Sequence, residues 1–279
     1  PSILGTLFER GLDPSKRSQL GAHYTDREKI MLILRPVMVE PLTREWEAAR
    51  AEIETFLERE RAAKSPSAAT RFHNEAVARW RGFLERLRGF RVLDPACGSG
   101  NFLYLALRGL KDLEHRANVE AAELLGDTVP FPATGPENVL GIELNPYAAE
   151  LARVSVWIGE IQWMRRNGFD AARNPILRPL DTIENRDAIL TPEGARAAWP
   201  AAEAIVGNPP FLGDKLMRDG LGDAYVDALR SAYSGAVPGG ADLVTYWFAL
   251  AGEALRSGRA RRVGLVSTNS IRGGANRRA

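Results

Sequence analysis

The chain has 279 residues, 45% of them apolar, enough to bury a full core in one large domain or one domain with an appendage, and no window resembles a membrane span or a signal peptide. A net charge of +2 does not announce a nucleic-acid binder, and five lysines against 32 arginines fit either bidentate phosphate contacts or an arginine-rich genomic composition. One cysteine, Cys97, and three scattered histidines, His23, His73 and His115, exclude an internal disulfide, give a metal site little support and fit a reducing cytoplasm.

Residues 1–30 read as a short helical start, a polar loop from Leu20 to Thr25, and a helix opening near Asp26 that carries Ile30, Ile33, Leu34 and Val37. Thr25 or Asp26 can cap that helix, and a helix N-terminus beside a polar loop suits a carboxylate. From Thr43 to Lys64 and from Thr70 to Leu87 two amphipathic stretches, broken by Ser65-Pro66-Ser67, predict a helical hairpin. Its arginines, Arg71, Arg79, Arg81, Arg86 and Arg88, read as a solvated face.

A short strand over Gly89–Asp94 leads into Pro95-Ala96-Cys97-Gly98-Ser99-Gly100-Asn101-Phe102 and then an apolar helix. Strand, glycine turn and helix begin a nucleotide-type βαβ unit. The turn lacks the Gly-Lys-Ser/Thr ending of a P-loop and is not G-x-G-x-x-G, so pyrophosphate is not the expected guest. Asp94 at the strand tip suits a cationic amino group, and Cys97 reads as a packing residue. The next strand, Asn138–Glu143, ends on an acid able to hold both hydroxyls of a ribose. Glu143 lies 43 residues beyond Gly100, against about 20 in the dinucleotide pattern, the excess being a long first crossover. Asn145 and Pro146 then start a helix. A weaker strand near Leu180–Ile183 precedes Asp187, which can accept the amino group of a purine.

The run Ala204-Ile205-Val206 stops at Gly207-Asn208-Pro209-Pro210-Phe211, so a buried strand ends with Asn208 facing a cleft. Such a tip suits methylation of a planar amide or amino nitrogen. If Asn208 Oδ1 and the Pro209 carbonyl each accept one N–H, the nitrogen lone pair is aimed at a methyl donor, and the paired prolines preset the carbonyl direction. Phe211 offers a stacking face for an extruded base. Taken alone, the stretch equally fits a strand ending in an ordinary proline turn with Phe211 in the core. Beyond it, Gly213–Gly240 reads as a mobile, glycine-punctuated lid, Leu243–Leu255 as an apolar helix, and Arg262–Ser267 as a further buried strand.

Together Asp94-Pro-Ala-Cys-Gly-Ser-Gly-Asn-Phe102, Gly141-Ile-Glu-Leu-Asn145, Asn185-Arg-Asp-Ala188 and Gly207-Asn-Pro-Pro-Phe211, preceded by Gly21-Ala-His-Tyr-Thr25, resemble the gamma-type N6-adenine DNA methyltransferases. The likeness is to the methylase part of large single-chain restriction-modification or phage-defence enzymes, and it covers roughly residues 15–278. The resemblance implies a doubly wound α/β fold with a mostly parallel, seven-stranded sheet: an N-terminal helical segment at 1–88 and a catalytic core at 89–279. It implies S-adenosylmethionine as cofactor, lined by Asp94, Pro95, Ala96, Cys97, Gly98, Ser99, Gly100 and Phe102. Tyr24 and Thr25 would lie at its methionine end, Glu143 and Leu144 at the ribose, and Asp187 and Ala188 at the adenine. Asn208, Pro209, Pro210 and Phe211 would receive a flipped adenine of double-stranded DNA. The family order continues with two more strands and a target-recognition domain. The expectation is therefore a C-terminally truncated core, weak or inactive alone, with a nuclease or helicase as possible partner and the 262–267 strand near an open sheet edge. A protein glutamine N5-methyltransferase needs the same Asn-Pro-Pro tip, and a non-catalytic cofactor-binding scaffold is the reading from another class.

Overall fold

The computed structural model describes residues 25–169 and 180–278. Asp26 opens helix α1 (Arg27–Leu34), its carboxylate accepting from the Glu28 N–H. The helix widens into a π turn over Arg35–Val39, at Pro36, whose ring and missing N–H break a regular i→i−4 ladder. It then runs on as α2 (Glu40–Arg61). Ser65 caps α3 (Pro66–Gly89) through the Ala68 N–H, with Pro66 in the first turn. Trp46, Ala49, Ile53 and Leu57 of α2 are buried, as are Ala76, Trp80, Phe83 and Leu87 of α3, with the Trp46 and Phe83 rings 5.1 Å apart. These residues recur every three or four positions, the period that makes one apolar face, so the predicted hairpin forms.

The hairpin is bolted to the rest by polar contacts that no local pattern announces. Trp46 Nε1 donates to Glu120 at 2.7 Å and Trp80 Nε1 to Asn118 at 3.1 Å, both on α4 (Asn101–Leu125). Arg86, expected on a solvated face, instead joins Glu45 of α2 at 3.0 Å to Glu203 at 2.5 Å, just before β4.

Five strands, β1 (Val92–Asp94), β2 (Val139–Glu143), β3 (Ile183–Asn185), β4 (Ala204–Gly207) and β5 (Arg262–Leu265), form one parallel sheet in the order β3-β2-β1-β4-β5. Side chains alternate across it. Val92, Val139, Ala204 and Val206 join the core shared with the N-terminal helices, α4 and α5 (Pro146–Arg166). Leu93, Ile142 and Ile205 join a second core on the other face, with α6 (Asp214–Leu221), α7 (Asp223–Ala232) and α8 (Val244–Arg256). Helices on both faces explain why β1, β2 and β4 carry no polar side chain before their C-terminal ends. The described residues supply five of the seven strands expected, and β5 is outermost, bonded to β4 alone. Its face is covered by α1: a Cβ at Gly264 would lie 2.5 Å from Ile33 Cγ2 and 2.9 Å from Val37 Cγ2.

The segment 213–240 is not a loose lid. Met217, Val226, Leu229 and Tyr233 are buried in the second core, and Arg230 pairs with Asp214 across the two helices at 2.6 Å. Gly222, at φ +86°, is the break between α6 and α7. What reads as punctuation of a mobile loop is punctuation between two packed helices.

Candidate active site

The strand order reverses between β1 and β4, and in a doubly wound sheet the crevice beyond the strand ends at that point is where ligands bind. Four chain turns meet there. After β1, Cys97 N–H reaches the Ile142 carbonyl (3.1 Å) and Gly100 N–H the Cys97 carbonyl (2.8 Å). The turn needs positive φ at Gly98 (+53°) and Gly100 (+83°). The two glycines differ in purpose. A Cβ at Gly100 would stand 3.0 Å from the Ala152 backbone, so this glycine lets α4 start against α5, whereas nothing lies within 4 Å of a Cβ at Gly98. Gly98 faces open space.

Glu143 ties the first two turns together. Its Oε2 accepts the Gly98 N–H and its Oε1 the Asn145 N–H, both at 2.8 Å. Burial pushes its carboxyl upward and these backbone donors oppose the shift. Asn145 caps α5 through the Tyr147 and Ala148 N–H groups, as its sequence position predicts. The third turn follows β3. Asn185 Nδ2 donates to the Glu143 and Leu144 carbonyls, and Asp187 Oδ1 accepts from Ile189 and Leu190. Its Oδ2 accepts the Tyr225 hydroxyl at 2.7 Å, and burial and the Asp187 charge hold the Tyr225 phenol far above its ordinary range.

At the fourth turn Gly207 closes β4 with Asp94 beside it: a Cβ there would meet Asp94 Oδ1 at 2.5 Å. Asn208 follows. Its Nδ2 donates to Thr25 Oγ1 at 3.0 Å, while its Oδ1 is buried with no hydrogen-bond partner among the described residues. Nearly all buried acceptors are paired, and leaving one unpaired costs about 1–3 kcal/mol. This one sits on a cleft.

That cleft is lined by Pro95, Ala96, Gly98, Glu143, Leu144, Asp187, Ala188, Asn208 and Pro210 among the residues the sequence singled out. Asp94, Cys97, Ser99, Gly100 and Phe102 are buried outside that lining. Phe102 belongs to the core shared with the N-terminal helices, and the Cys97 thiol is pushed well up by burial and by the Asp94 and Glu143 charges, as suits an inert packing residue. Pro209 is buried and Phe211 half-buried, neither lining the cleft. Thr25 reaches the site through Asn208, and Tyr24 lies outside the described residues. Among the lining residues without a sequence signal, two make polar contacts. Tyr225 on α7 holds Asp187, and Trp247 on α8 donates its Nε1 to the Pro95 carbonyl at 3.0 Å, pinning the glycine turn. Both sit in ordinary helical stripes, with no motif to mark them.

Asp94 is 1% exposed, and its carboxyl is pushed up to about 8, by burial first and by the Glu143 charge, against the Ala96 N–H. An acid whose folded pKa exceeds its unfolded value binds more protons when folded, so its contribution falls as pH rises from about 4 to about 8 and is flat above. Asp94→Asn should therefore flatten the fall in stability over that window. Urea midpoints at pH 5 and pH 8 that separate equally in both proteins would dismiss the claim.

A sheet of this order, with a ribose-type acid closing β2 and an amide at the tip of β4, is that of the Rossmann-like methyltransferases. Residues 70–278 match the family model described as MmeI, DNA-methyltransferase domain, and the chain belongs to that family. DNA methyltransferase A of Bacillus subtilis (strain 168) is 26% identical over 279 residues, spanning 97% of this chain and 28% of that protein. The structure of the Type IIL restriction-modification enzyme MmeI in complex with DNA superposes with a TM-score of 0.71 at 26% identity, covering 99% of this chain and 34% of that one. The chain thus spans about a third or less of these relatives. Among the described residues no helix is long and apolar enough to cross a membrane.

Proposed function

We propose that this chain is the catalytic core of an enzyme that methylates adenine N6 in double-stranded DNA, using S-adenosylmethionine, within a restriction-modification protein of the cytoplasm. The observation that carries the reading is Asn208 Oδ1, a buried acceptor with no donor among the described residues, on a residue that lines the cleft. An exocyclic amine brings the missing N–H. Once Oδ1 takes one N–H and a second acceptor of the Asn208–Pro210 turn the other, the nitrogen loses conjugation with its ring and its lone pair turns outward, so no general base is needed before attack.

The cleft residues fit the cofactor. Gly98 leaves space where a side chain would project, Glu143 and Asp187 stand at separate points of the wall, and Pro95, Ile142, Leu144 and Trp247 supply apolar surface between them. Glu143 would hold the ribose hydroxyls and Asp187, steadied by Tyr225, the adenine amino group; Asp94, expected at the amino-acid end, is buried outside the lining and would act by shaping the turn. When bound, S-adenosylmethionine supplies an electrophilic methyl group. DNA, rather than a glutamine side chain, is favoured as substrate by the family to which residues 70–278 belong. Recognition of a particular sequence, and any nuclease, would lie in other parts of the longer protein, with the MmeI structure the guide.

The test is product analysis. Duplex DNA incubated with radiolabelled S-adenosylmethionine and the full-length protein should yield N6-methyladenine after digestion; methylcytosine, or label on protein alone, would overturn the assignment. Glu143→Ala should weaken S-adenosylmethionine at least tenfold in calorimetric titration, because the carboxylate both meets the ligand and braces Gly98 and Asn145. An unchanged Kd would remove Glu143 from the cofactor site.

A further inference from the structure

Asn208 is held from a distance of 183 positions. Its Nδ2 is committed to Thr25 Oγ1 at 3.0 Å, and Thr25 lies half-buried immediately before the Asp26 cap of α1. A carboxamide is planar, so fixing its nitrogen fixes where its oxygen points. A free asparagine side chain turns about its last bond and presents oxygen or nitrogen with similar ease. Turned over, it would aim N–H groups at the N–H groups of an incoming amine, which repel. With Nδ2 tied back, the buried Oδ1 is the atom left without a partner.

We infer that Thr25 is a positioning residue for methyl transfer: its hydroxyl holds the Asn208 carboxamide with Oδ1 aimed at the target nitrogen, and so joins the N-terminal segment to the reacting end of the cleft. The inference rests on the reading of Asn208 as acceptor and assigns Thr25 a part distinct from contact with the cofactor. Among the described residues no other side chain bonds the Asn208 amide; the hydroxyl can donate as well as accept, and it leaves Oδ1 for the substrate when it accepts from Nδ2. Because Thr25 bonds Asn208 and none of Gly98, Glu143 and Asp187, its loss should appear in turnover and not in cofactor affinity.

The experiment compares Thr25→Val, Thr25→Ser and Asn208→Ala in the full-length protein, measuring kcat and KM on duplex DNA and Kd for S-adenosylmethionine. Valine keeps the shape and loses the hydroxyl; serine keeps the hydroxyl. The expected result is a kcat lowered roughly tenfold by valine, the scale of one lost hydrogen bond, restored to within about threefold by serine, with Kd for S-adenosylmethionine within about twofold throughout. Turnover kept by Thr25→Val while Asn208→Ala loses it would overturn the inference and leave the acceptor reading standing. A Thr25→Val Kd raised in step with its loss of turnover would also overturn it, making Thr25 a cofactor contact. Transfer kept by Asn208→Ala would take down the acceptor reading and this inference with it.

Discussion

Asn208→Ala is expected to lower methyl transfer by two to three orders of magnitude while leaving S-adenosylmethionine affinity within about twofold. The size follows from the oxyanion-hole comparison: one preorganised group aimed at charge or geometry that develops only in the transition state is worth about 2.7–4 kcal/mol. The selectivity follows from where the atom sits. Among the described residues Oδ1 accepts from nothing, so removing it breaks no contact among them, and Nδ2 loses only Thr25. Loss of kcat and kcat/KM together, without a rise in cofactor Kd, is the kinetic mark of an interaction made in the transition state alone. Asn208→Asp separates acceptor from amide. It keeps an oxygen towards the amine but loses the donor to Thr25 and buries a charge, so it should fall between wild type and alanine. Transfer by Asn208→Ala within tenfold of wild type would end the acceptor role, and a large rise in cofactor Kd would make Asn208 a binding residue instead.

This tip was legible in the sequence because its signal is local. An apolar run cut off by Gly207, Asn208 and two prolines permits few structures, and Asn145-Pro146 is a helix start by itself. Glu143 was readable for the same reason, as the polar end of a short apolar strand. The contacts that organise these tips were not legible. Thr25 to Asn208, Tyr225 to Asp187 and Trp247 to Pro95 join positions 183, 38 and 152 residues apart, and each partner taken singly has an innocent explanation as cap, stripe or core. The lid expected at 213–240 failed through the opposite error. The helical spacing of Val226, Leu229 and Tyr233, whose burial decides the structure, outweighs its glycines. Phe102 shows the limit of a motif: it closes the run that begins at Asp94 yet belongs to the core, where it serves the fold that carries the turn.

The largest effect on stability is expected at Lys111, far from the chemistry. This lysine on α4 is 1% exposed, donates to Glu160 Oε1 on α5 at 2.8 Å and to the Thr134 carbonyl at 2.9 Å, and lies 4.7 Å from the centre of the Trp163 ring. Glu114, one helical turn on and fully buried, accepts the Ala133 and Thr134 N–H groups and the Thr134 hydroxyl. The two side chains pin the chain just before β2, the strand that ends at Glu143. Lys111→Met leaves the partly buried Glu160, 17% exposed, without its counter-charge, which costs up to about 3–5 kcal/mol, a fall in Tm on the order of 10 °C at this chain length. The pH dependence has a definite sign. Burial already raises the Glu160 carboxyl and Lys111 opposes that rise, so without Lys111 the folded pKa moves further above the unfolded one. The folded variant then holds a proton that the unfolded chain releases, and its deficit should be small near pH 5 and grow towards pH 8. Lys111→Met combined with Glu160→Leu removes both charges and should recover most of the loss, since replacing a whole buried pair by apolar groups is far less costly than breaking it. A double variant as unstable as the single one, or a deficit that does not change with pH, would show that Lys111 acts through packing on Trp163 and not through the charge it neutralises.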